Sequence, residues 1–118
     1  QILMKNTAIR PDVIALTGNM HALLCLDAKG QLLGERKLTE GTVRMSLISP
    51  REIFLAALEC KAVNVILVHN PPSGDSKPSE ADWELTTNVR SLGEQMDILL
   101  LDHIIIGDGI YENIVWKG

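Results

Sequence analysis

Apolar positions along the chain follow two periods, one of strands and one of helices. His21 to Asp27 (HALLCLD) is a short apolar run closed by Ala28-Lys29-Gly30, and Gln31 to Leu38 (QLLGERKL) follows it. Two strand-length runs flanking a glycine-containing turn predict a β-hairpin. From Thr42 to Ile48, Val43, Met45 and Leu47 alternate with Arg44 and Ser46, the pattern of a half-exposed strand. Val63 to His69 (VNVILVH) is β-branched and nearly all apolar, as a strand covered on both faces would be. Ile98 to Ile106 (ILLLDHIII) reads the same way, broken only by Asp102 and His103.

Between these runs the period lengthens. Ser49-Pro50 opens a helix, with Ser49 as cap, Pro50 at the first position and Glu52 completing a capping box. Its expected buried stripe is Ile53, Phe54, Ala57 and Leu58. Asn70 to Pro78 is loop by composition. A second helix starts at Ser79, with Leu85, Val89, Leu92 and Met96 as its stripe and Gly93 weakening its end. Gly107-Asp108-Gly109 is a turn before a last strand, Tyr111 to Trp116. The order βββ-α-β-α-ββ predicts an α/β fold, a mixed β-sheet flanked by helices. Residues 1–18 read as an N-terminal arm with a turn at Pro11, the end of a linker from an upstream domain. Residues 19–118 read as the domain itself.

Composition narrows the function classes. The 118 residues suit one domain, and with only 3% aromatic residues the core must be built from aliphatic side chains. The net charge of −4 argues against strong independent nucleic-acid binding, because phosphate contacts need a basic excess. Lys61, Lys77 and Arg90 leave room only for a local basic patch. Cys25 and Cys60 form no C-x-x-C pair and are expected to be buried, reduced thiols, which suits a cytoplasmic protein. No apolar run approaches the ~18 residues of a membrane span, and no basic-then-apolar leader is visible, so no membrane association is expected.

One segment carries chemistry: His69-Asn70-Pro71-Pro72-Ser73-Gly74-Asp75, then Pro78-Ser79-Glu80-Ala81-Asp82. A histidine ends a buried strand, a Pro/Gly loop follows, and a carboxylate stands one turn into a helix. Zinc accepts both ligand types. Each member also has a structural reading. Ser79 and Asp82 form a helix-start signature, and His69 can simply bond the loop beside it. Two candidate ligands do not make a zinc site.

The stretch from His69 to Asp82 resembles the JAMM signature of the JAB/MPN metallohydrolases, H-x-H-x(7)-S-x(2)-D. Ser49 to Phe54, Val68 to Asn70 with Pro72 to Asp75, and Leu101 to Gly107 are similar to the RadC branch in particular, and the likeness runs from about His21 to the C-terminus. The resemblance implies a cytidine-deaminase-like α/β sandwich. It implies zinc as cofactor, with His69 and Asp82 as ligands and Ser79 as the hydroxyl that helps hold a tetrahedral oxyanion. It also implies a protein partner or peptide substrate, and by the family's name an association with DNA repair.

The pattern breaks at two positions. The second histidine is replaced by Pro71, which has no donor atom, and the general-base glutamate aligns with Asn19. The expectation is therefore weak or absent zinc and little or no hydrolysis, leaving a partner-binding module. Two alternatives remain: an active zinc peptidase or isopeptidase with a substitute ligand, drawn from Asp75, Asp102 or His103, and a nucleic-acid role. The Asp102–His103 pair is expected instead to satisfy itself within the strand or against the His69 loop. A homodimer formed through exposed strand edges fits the predicted sheet.

Overall fold

The structure, a computed structural model, describes residues 20–38, 48–71, 74–107 and 110–114. Among these residues the strands are β1 (Met20–Leu26), β2 (Leu32–Lys37), β3 (Asn64–Asn70), β4 (Leu99–Ile106) and β5 (Tyr111–Asn113), and the helices are α1 (Pro50–Glu59) and α2 (Glu80–Met96). The sheet order is β2-β1-β3-β4-β5. Among the described strands, β3 and β4 alone pair in parallel. That pairing needs a crossover, and α2 supplies it. The α/β fold with a mixed sheet is thus as the sequence pattern predicts. The strand expected over residues 42–48 lies outside the described residues apart from Ile48, which is buried and not in a strand. The N-terminal arm also lies outside them.

Both faces of the central strands are buried. Leu23, Cys25, Val65, Leu67 and Leu100 pack with Ile53, Phe54 and Ala57 of α1 and Val89 of α2. Ala22, Leu24, Leu26, Ile66, Val68 and Ile104 form a second cluster. These sets alternate along β1 and β3, as the two-residue side-chain period requires. On β4 the alternation is broken. The register shifts between Val65 and Ile66, so Leu100 lies opposite Val65 but Asp102 lies opposite Ile66 and His103 opposite Leu67. This bulge leaves Leu101 extra. Leu100 and His103, three residues apart, consequently share the face that carries the helices.

The helices depart from their predicted details. Ser49 makes no side-chain cap bond, so the expected Ser49–Glu52 capping box is absent. Pro50 at the helix start removes one orphan N–H, and the Glu52 N–H donates to the Ser49 carbonyl instead. In α1 the buried residues are Ile53, Phe54, Ala56 and Ala57, while Leu58 is exposed. In α2 they are Asp82, Thr86, Val89 and Gly93; Leu85 is partly buried, and Leu92 and Met96 face outward. The buried stripe of α2 is rotated because its inward face meets histidines at one end and backbone at the other. Gly93 does not fray the helix end. It permits a close approach to the Ile98 carbonyl, and the Ile98 N–H donates back to the Gly93 carbonyl at 2.9 Å.

Candidate metal centre

The site lies where α2 begins, over the helix-facing side of β1, β3 and β4. His69 is the penultimate residue of β3, and antiparallel pairing sets His21 of β1 directly opposite it. Cross-strand neighbours share a face, and the two imidazoles stack with centroids 4.0 Å apart and planes 8° from parallel. His103 joins the same face through the β4 bulge, its ring centroid 6.5 Å from that of His69.

Asp82 arrives from above. Ser79 is the N-cap of α2, and here the capping box is complete: the Asp82 N–H donates to Ser79 Oγ at 3.1 Å, and the Ser79 N–H donates to Asp82 Oδ2 at 2.9 Å. The Ser79 hydroxyl also donates to Oδ2 at 2.8 Å. One carboxylate oxygen is thereby held by the helix start. The other, Oδ1, lies 2.7 Å from His69 Nδ1 and 3.8 Å from His103 Nε2. Each of His21, His69, Asp82 and His103 offers one ligand atom, and those atoms all lie within 4.8 Å of one another.

The surroundings favour the metal-binding protonation states. Burial, helped by His69 and His103, pushes the His21 imidazole down to about 3. Burial also pushes His103 down to about 4, against the pull of Asp82. Both rings are therefore neutral near pH 7, the form in which imidazole ligates. For Asp82, burial opposes ionisation. Hydrogen bonds from the His69 side chain and the Ser79 N–H, with the charge of nearby imidazoles, outweigh it and hold the carboxyl well below the usual carboxylate range.

Of the residues the JAMM resemblance singles out, His69, Ser79 and Asp82 come together as expected. Pro71 follows β3 directly and offers no ligand atom; Asn19 lies outside the described residues. Asp75 is exposed and accepts the Lys77 N–H, so it stays out of the cluster. Asp102 faces the opposite side of the sheet, where it accepts the His103 N–H and the Asn113 side-chain amide. For Asp102 the expectation of local satisfaction holds. His103 instead turns its Nε2 toward Asp82. His21 is not among the site residues expected from the sequence. Its only signal is a polar residue at the head of an apolar strand, and that gains meaning once β1 is known to pair with β3.

A mixed sheet with a histidine–carboxylate cluster beneath the N-terminus of its crossover helix is the architecture of a JAB-type domain. The profile of the RadC-like JAB domain matches residues 5–114. The chain belongs to that family. It is 45% identical over 95 residues to UPF0758 protein GSU0386 of Geobacter sulfurreducens, covering 80% of this chain and 42% of that protein. It is 41% identical over 103 residues to UPF0758 protein SH1266 of Staphylococcus haemolyticus, covering 87% of this chain and 45% of that protein. The chain thus spans less than half the length of these curated relatives. Among the described residues, no helix is long and apolar enough to cross a membrane.

Proposed function

We propose that this domain descends from a zinc-dependent peptidase fold but turns over little or no substrate, and serves as a partner-binding module. The observation that carries this reading is Pro71. In the pattern the chain resembles, its position supplies the second histidine of a three-ligand set that leaves one coordination position open. Zinc in such a site lowers the pKa of a bound water toward ~7, and a nearby base then takes its proton. Asn19 stands where that base is expected, and an amide cannot accept a proton near neutral pH. The clustered donors include a single carboxylate, Asp82, which already bonds His69 and Ser79. The Ser79 hydroxyl is likewise committed to Asp82 and not directed at a substrate oxygen. Loss of the base alone removes ~10²–10⁴-fold of acid–base catalysis. The free thiols of Cys25 and Cys60 suit a cytoplasmic setting.

The test is hydrolysis of peptide and isopeptide-linked substrates by protein incubated with micromolar zinc. No cleavage above the chelator-treated control is expected. Zinc-dependent turnover that disappears in a Ser79→Ala variant would overturn the reading. A DNA-repair role through direct binding predicts a mobility shift with duplex at moderate salt; at a net charge of −4, none is expected.

A further inference from the structure

We infer that His21 and His103 replace the lost family ligand, and that with His69 and Asp82 they form a closed, four-ligand site for a zinc-type divalent ion. The inference rests on reading this pocket as a hydrolase-derived centre.

The hydrogen bonds around His103 fix its tautomer. Thr86 Oγ1 donates its one proton to the Asp82 carbonyl at 2.8 Å. The contact between Thr86 Oγ1 and His103 Nδ1, at 2.6 Å, must therefore run from Nδ1–H to the hydroxyl oxygen. In the neutral ring this leaves Nε2 with a bare lone pair. That atom is fully buried, has no hydrogen-bond partner, and stands 3.8 Å from Asp82 Oδ1, which also presents lone pairs. Two acceptors face each other across a buried gap with no donor between them, an arrangement that is costly in a protein interior. A cation held between them removes that cost. Thr86 then acts as the outer partner that metal-ligating histidines ordinarily have, and Ser79 does the same for Asp82.

The donor set selects the ion. Three imidazoles and one carboxylate suit zinc and its neighbours, whereas magnesium and calcium prefer oxygen ligands. Bond lengths of ~2.0–2.1 Å in a tetrahedron place adjacent ligand atoms about 3.4 Å apart. The pocket, with ligand atoms within 4.8 Å, must contract by roughly an ångström or more at its widest. One movement is specified. Parallel stacked rings cannot both aim in-plane lone pairs at one ion, so the His21 ring must tilt out of its stack on His69. Four protein ligands leave no position for a water, which is the pattern of structural zinc sites.

The test is titration of chelator-stripped full chain with zinc against a competing dye, and with cobalt(II) followed by its visible absorption. Expected are one ion per chain, the intense absorption of four-coordinate cobalt, and no uptake of magnesium. Changing an outer partner costs ~10–100-fold in affinity, so losing a direct ligand should cost at least ~100-fold. That loss is expected in both His21→Phe and His103→Gln. His21→Phe keeps a flat ring against His69, and circular dichroism of each apo variant separates lost ligation from lost folding. Should His103→Gln fail to fold, His21→Phe and the cobalt spectrum decide the question. Thr86→Val should weaken binding less than either. Absence of stoichiometric zinc in the parent chain, or affinity unchanged in His21→Phe, overturns the inference. Hydrolysis by the zinc-loaded chain would overturn both the noncatalytic reading and the closed coordination, whereas absent zinc together with absent hydrolysis would overturn the inference alone.

Discussion

Replacing Gly93 with alanine sets two known effects against each other. By helix propensity alone, Gly→Ala inside a helix gains about 1 kcal/mol. The structure reverses the sign. A Cβ at this position would stand 2.2 Å from the Ile98 carbonyl oxygen and 3.4 Å from its carbon, with Phe54 Cε1 at 3.7 Å. A relaxed carbon–oxygen contact is ~3.3 Å, so helix and strand must separate by roughly 1 Å. The obstacle is backbone, and it is tethered: the Leu99 N–H, in the same planar peptide unit as the Ile98 carbonyl, donates to the Val63 carbonyl at 3.0 Å, and the Ile98 N–H donates to the Gly93 carbonyl, so the Ile98 carbonyl cannot rotate away alone. Overpacking of this kind costs typically 1–3 kcal/mol, and a clash with tethered backbone belongs at the upper end. The net expectation is a loss of about 2 kcal/mol, or ~8 °C in Tm at about 4 °C per kcal/mol. The assay is urea denaturation of parent and Gly93→Ala, with Asn88→Ala as a control at an exposed position of the same helix, expected to gain about 0.5 kcal/mol. A Gly93→Ala protein as stable as the parent, or more so, would refute the close-packing argument.

Two further outcomes follow. In metal-free buffer, stability should decline as pH falls below ~6.5. Both His21 and His103 have folded values lowered to about 3 and about 4, so the unfolded chain binds more protons in this range and acid favours unfolding. Each contributes up to ~1.4 kcal/mol per pH unit until its folded value is reached. Urea midpoints flat between pH 7 and 5 would contradict this. Burial, with the neighbouring Cys60 thiol, pushes Cys25 up to about 12, so a thiol-specific reagent at pH 8 should leave it unmodified in the native protein and label it only in denaturant. Rapid modification of both thiols without denaturant would count against it.

Much of the fold was legible because the strands are extreme in composition. HALLCLD and VNVILVH can hardly be anything but strands buried on both faces, and both are found within a residue of their predicted limits. His69, Ser79 and Asp82 were legible as a group because a strand end, a loop and a helix start hold them within one short segment. The rest depends on phase, which local sequence does not encode. The large apolar residues of α2 predict the wrong buried face. The face that is buried is set instead by Asp82, Thr86 and Gly93, whose partners lie on other elements. From sequence His103 is expected to satisfy itself within the strand or against the His69 loop, because nothing in ILLLDHIII announces the bulge that turns it toward the helices. Cys60, expected to be buried, is partly exposed where α1 ends.

The four clustered side chains come from β1, β3, α2 and β4, and they are separated along the chain from residue 21 to residue 103. A histidine and an aspartate thirteen residues apart can meet in a disordered loop, but His21 reaches His69 only after β1 has found β3. His103 reaches Asp82 only after the parallel β3–β4 pair has closed over its crossover. Contacts of such long sequence separation form late and slowly in folding. The complete cluster is therefore a property of the finished sheet. It cannot nucleate folding, and any signal that depends on all four residues reports completion of the native topology and not an early collapsed state.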